Sequence, residues 1–146
     1  MMGRILSAGA LLVCAVGVTR GVAQRAHIGV HGGYNTEFEH GAVGLQAYFP
    51  LASAVEFYPS FDYYAGNTGT LWGWNADIKL RATGAPLYFG GGINLLTGDG
   101  TSETGFNLIG GLETRYGETH PYFEARGLFH DAASLQLVFG LNFTLR

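Results

Sequence analysis

A chain of 146 residues is long enough for one domain. With 24 glycines, 14% aromatic residues and only 13% charged ones, it is too apolar for a disordered polypeptide and too glycine-rich for a helical one. A formal charge of −3 leaves no basic footprint for nucleic acid.

The first residues form a separate object. Arg4 supplies a positive start, Ile5 to Val18 an apolar stretch, and Gly21-Val22-Ala23 the small residues of a cleavage site before Gln24. The apolar stretch is too short to span a bilayer comfortably, and Arg20 closes it. This predicts a cleavable signal peptide over residues 1–23 and an exported domain over residues 24–146; a buried N-terminal helix is the alternative. Cys14 is the only cysteine, and Leu12 and Val13 before it are not the small residues that lipid attachment requires. Cleavage leaves no cysteine, hence no disulfide, and a net charge of −5, because two of eight basic residues and no acid are removed.

From Gln24 onward no stretch keeps a 3.6-residue apolar period. Instead, segments of about ten residues alternate apolar and polar positions between turn residues. In chain order these predict strands over Ala26–Tyr34, Gly41–Phe49, Ala54–Ala65, Thr70–Ala82, Pro86–Thr97, Thr104–Tyr116, Pro121–His130 and Ser134–Leu145. The links are short, which predicts an antiparallel up-and-down meander. The expected fold is therefore all-β, an eight-stranded antiparallel up-and-down transmembrane β-barrel.

Two faces follow from the alternation. One runs from Ile28 and Val30 through Trp72, Trp74, Phe106 and Leu108 to Phe143 and Leu145, and its 39 positions hold no charge. The other carries Glu56, Asp62, Asp77, Lys79, Arg81, Glu113, Arg115, Glu124 and Arg126. Lipid accounts for the difference, since Lys or Arg facing the bilayer midplane costs roughly 2–4 kcal/mol. A soluble lipocalin-like barrel has the same period, but aromatic placement favours the membrane. With the N-terminus in the periplasm, Phe49, Phe57, Phe89, Tyr116, Phe123 and Phe143 gather at one rim. Tyr34, Tyr63, Trp72, Trp74, Phe106 and Phe129 gather towards the other, giving two interfacial girdles.

The charged face then lines a narrow lumen, where five acids and four bases nearly cancel. Glu56, Lys79, Arg81, Glu113, Arg115, Glu124 and Arg126 are expected to form a structural charge cluster towards the periplasmic half. If Gly117 pairs with Tyr122, Arg115 faces Glu124 and Glu113 faces Arg126, joining opposite charges. Inward glycines (Gly29, Gly33, Gly44, Gly73, Gly90, Gly92, Gly111, Gly140) leave room for Tyr48, Tyr58, Tyr64, Tyr88 and Tyr122. A plugged interior with trapped water is expected, not an open pore.

The segments APLYFGGGIN (Ala85–Asn94), GGLETRYG (Gly110–Gly117), PYFEARG (Pro121–Gly127) and LVFGLNFTL (Leu137–Leu145) resemble, in order and spacing, the small bacterial outer-membrane β-barrel family with its OmpA-like and OmpX-like members. The ending resembles that family's assembly signal, with Gly140, Phe143 and Leu145 in its places. Val138, where a polar residue is usual, and Arg146, where an aromatic is usual, depart from it. The resemblance implies periplasmic chaperones and insertion by the outer-membrane barrel assembly machinery, in a Gram-negative envelope.

Some small outer-membrane barrels modify lipid A. A deacylase needs His and Ser on the lipid-facing surface, which here offers only Thr114 as an aliphatic hydroxyl. An acyltransferase needs them near the outer rim, where His130, Asp131 and Ser134 qualify by type; Asp131 and its neighbours also make an ordinary turn. His27 and His31 share the inward face but stand roughly 13 Å apart along the strand, too far for one metal. Gly98-Asp99-Gly100 lacks the further carboxylates of a calcium loop. HGGYN and FGGGIN lead into no helix that could cradle phosphate. The reading is a non-enzymatic, monomeric barrel without cofactor or metal, surrounded by outer-membrane lipids and having a structural or envelope-integrity role. The alternatives are a narrow, porin-like solute channel, a lipid A-modifying enzyme and a soluble binding barrel.

Overall fold

The computed structural model describes residues 25–37, 39–66 and 69–145, so the expected signal peptide and Arg146 lie outside the described residues. The alternating segments form eight strands: β1 (His27–Asn35), β2 (His40–Pro50), β3 (Val55–Gly66), β4 (Gly69–Arg81), β5 (Leu87–Gly98), β6 (Thr101–Glu113), β7 (Thr119–Phe129) and β8 (Ala133–Thr144). Each pairs antiparallel with its neighbours in sequence, and β1 pairs with β8 to close the barrel. Closure gives every strand two partners, as a sheet surrounded by hydrocarbon requires.

The period-two pattern sorts the side chains as the sequence predicts. None of the 39 charge-free positions is buried. Glu56, Asp62, Asp77, Lys79, Glu113, Glu124 and Arg126 are buried in the lumen. The aromatic girdles form on the outer surface, with Phe49 against Phe57 at one rim and Phe106 stacked on Phe129 at the other. Three of the inward glycines do make room for inward tyrosines. A Cβ on Gly111 or Gly140 would run into the ring of Tyr88 or Tyr122, and one on Gly73 would crowd the ring of Tyr64.

Three expectations are corrected. The β6–β7 pairing is Glu113 with Tyr122 and Gly111 with Glu124, four residues from the predicted register, so neither Glu113–Arg126 nor Arg115–Glu124 is a cross-strand pair. The slip is even, which keeps every side chain on its predicted face. As a result β6 ends at Glu113; Thr114 lies beyond it, and Tyr116 stands 91% exposed in the turn instead of on the strand face. The expected six-residue link from Gly98 to Glu103 is instead a tight hairpin. Asp99 and Gly100, at φ 47° and 79°, make a two-residue turn, as an Asp-Gly pair favours.

Candidate functional site

Among the described residues, buried charged and polar side chains concentrate in the lumen, and they fall into two joined clusters. Near the rim that carries the chain ends, Arg81 of β4 donates from Nε to Glu56 Oε2 at 2.7 Å and from Nη2 to the Tyr58 hydroxyl at 3.0 Å. It also bonds Glu113 of β6 through Nη2. Arg115 donates to Glu56 Oε1 at 2.6 Å and stands 3.6 Å from Glu113. Two acids and two bases thus compensate one another across three strands and a turn. Asn142 donates to Glu113 at 2.7 Å and accepts from Gln46 at 2.6 Å, extending the network to β8 and β2.

Deeper in the barrel, Glu124 accepts from Lys79 at 2.6 Å, from Arg126 at 2.8 Å and from the Tyr88 hydroxyl at 2.8 Å. Arg126 reaches on to Asp62 at 3.4 Å and lies 3.8 Å from Asp77. Asp62 is shared with His31 Nε2 at 2.7 Å and with Asn75 at 2.8 Å, while Asn107 donates to Asp77 at 2.9 Å. Tyr58 joins the two clusters. Its ring lies 4.0 Å below the Lys79 ammonium, and its hydroxyl donates to Glu56 at 3.1 Å. Such charges are stable away from water only where each has partners.

All seven residues of the expected cluster are therefore inside, but their partners are not the ones cross-strand pairing suggested. Long side chains reach across the lumen from non-adjacent strands. Asp62, Asp77 and His31 belong to the network as well. Both aspartates stand on the inward face of the alternation, so the sequence carried their signal. Towards the other rim the lumen turns apolar. Ala42, Tyr64 and Leu96 pack together with Leu71 against them, and Ile109, Leu128 and Val138 also point inward and are buried. The charge pattern of the inward face carries no signal for this plug; its signal is the apolar residues at inward positions, such as Leu96, Ile109, Leu128 and Val138.

The remaining candidates take other roles. His27 packs its ring on Tyr48 and His120, with centroids 4.7 and 4.9 Å away. Among the described residues, no three His, Cys, Asp or Glu side chains are grouped to hold a metal ion. The Ser134 hydroxyl accepts from Asn35 at 3.1 Å, and no hydrogen bond joins His130, Asp131 and Ser134. Gly140 lies beneath Tyr122, whereas Phe143 and Leu145 face outward.

No family model matches the sequence, and neither does any curated protein. Solved structures do match the fold. The N-terminal β-barrel domain of Pseudomonas aeruginosa OprF superposes with a TM-score of 0.70 at 15% identity, covering 82% of this chain and 96% of that one. A de novo designed transmembrane β-barrel gives 0.60 at 10% identity, covering 83% and 95%. Neisserial surface protein A gives 0.58 at 12% identity, also covering 83% and 95%. With its closed meander, charge-free outer wall and filled lumen, this chain has the fold of the small eight-stranded outer-membrane β-barrels.

Proposed function

We propose that the protein is an integral outer-membrane barrel with a non-catalytic, structural or envelope-integrity role, folded as a monomer. The observation that carries this reading is the lumen. Lys79–Glu124 and Arg126–Asp62 tie non-adjacent strands together across the lumen, Arg81 and Arg115 close the charge network near one rim, and the Ala42–Tyr64–Leu96 plug fills the barrel towards the other. A wall that spends its interior on internal partners supports rigidity more than transport. The outer hairpins are short, which leaves little surface for broad protein recognition.

Export through the N-terminal segment and delivery by periplasmic chaperones belong to the same proposal. So does insertion by the barrel assembly machinery through Gly140, Phe143 and Leu145. Heat-modifiable migration in detergent gels and recovery in the outer-membrane fraction test the location. Planar-bilayer recording tests the role: the purified barrel is expected to show no sustained single-channel current. Steady, large conductance steps would replace the structural reading with the solute channel.

A further inference from the structure

Pro59 stands in the middle of β3, between two partner strands, where a proline is unusual because it cannot donate to the ladder. Its effect is visible. The β2–β3 pairing runs from Gly41–Ala65 to Gln46–Ser60 and resumes at Phe49–Phe57, lapsing where Ala47 faces Pro59 and Tyr48 faces Tyr58. The Ala47 carbonyl has lost the N–H that would have answered it. In a bilayer such a loss is costly, since hydrocarbon offers no substitute donor.

The same position shapes the outer wall. Ala47, Pro59 and Ala76 lie side by side across β2, β3 and β4, each half-buried. On one side of this row of small residues runs a row of bulky ones, Leu45, Phe61 and Trp74. On the other side run Phe49, Phe57 and Ile78. The result is a shallow, open outward-facing groove, lined on its outer side by Leu45, Ala47, Pro59, Phe61 and Trp74. Three strands make it about 10 Å long at the usual strand spacing. Because the strands of such barrels tilt, a groove crossing them runs obliquely to the membrane plane.

We propose that this groove is a binding site for one acyl chain of a membrane lipid, held more firmly than the lipids around the rest of the wall. The inference rests on the membrane reading above. The groove lies between the two aromatic girdles, so hydrocarbon is what reaches it, and its outward-facing lining side chains are apolar. A polymethylene chain is slender enough to lie between the two bulky rows. A second barrel would present a broad convex wall that the rows hold off.

Trp74, on the groove's edge, is a built-in reporter. With Trp72→Phe it becomes the chain's only tryptophan. The barrel in detergent is titrated with a phosphatidylcholine brominated on its acyl chain, and Trp74 quenching is followed. A site gives quenching that saturates at a stoichiometric ratio. Adding Ala47→Leu, which fills the groove from the lipid-facing side, should leave only a weak rise proportional to lipid mole fraction. Pro59→Val should act in the same direction. Heat-modifiable migration of each variant confirms folding and stands separately as the test of the membrane reading. A wild-type groove that quenches without saturation overturns the proposal, as does saturation that survives Ala47→Leu.

Discussion

Glu124 is completely enclosed and holds Lys79, Arg126 and Tyr88 at once. Its removal strands the buried Lys79 ammonium and leaves Arg126 only its longer contacts to Asp62 and Asp77, so Glu124→Ala should cost roughly 3–5 kcal/mol of unfolding free energy. Glu113 serves Arg81 and Arg115, and the Arg115 side chain is 29% exposed, so water can take over part of the lost partner's work. Glu113→Ala is accordingly expected to lower the urea midpoint, read by tryptophan fluorescence, less than Glu124→Ala does. The reverse order would place the dry part of the lumen at the wrong end. At this scale the sequence showed which residues face inward and concealed whom they meet. Alternation fixes the side of the wall, but Arg81 on β4 finds Glu113 on β6 across a strand and through space. Asp62 and Asp77 stood on the inward face in the same way, yet only the folded lumen shows that Arg126 gathers them.

Among the elements, the β6–β7 hairpin separates pattern from register most clearly. Both the predicted and the observed pairings keep Glu113, Glu124 and Arg126 inside, so hydrophobic patterning could not choose between them. Charge matching across neighbouring strands favoured the wrong one, because in a narrow barrel the compensating charge need not sit on the next strand. The observed register places Tyr122 beside Glu113 and leaves Gly111, opposite Glu124, free of a side chain where the Tyr88 ring passes. Cysteines test this directly, since Cys14 is the only native one and precedes Gln24. Leu112→Cys with Phe123→Cys, directly opposite and outward-facing, should oxidise to a disulfide that shifts gel migration. Tyr116→Cys with Phe123→Cys, paired in the predicted register, should remain reduced. By contrast, the β5–β6 turn was legible and simply missed: Asp99-Gly100 between alternating runs is a hairpin signal in its own right.

For the whole molecule, the charge-free outer wall was fully readable because a single rule, period two, applies to every strand. The same rule gives a test of insertion. Leu108 is 57% exposed on the lipid-facing wall, so Leu108→Arg should oppose membrane insertion by roughly 2–4 kcal/mol if it lies near the midplane. The expected readout is a loss of the heat-modifiable form, and an unchanged yield would mean that this face does not meet lipid. The seam between β1 and β8 has a consequence of its own. Nine residue pairs, from His27–Thr144 to Asn35–Gln136, join the two ends of the domain. Until β8 exists, β1 has a bare edge and the cylinder cannot close, so adding strands one by one does not progressively finish the wall. The bare β1 edge must therefore be kept from premature edge-to-edge association until β8 reaches it, and the cylinder then shuts in a single closing step.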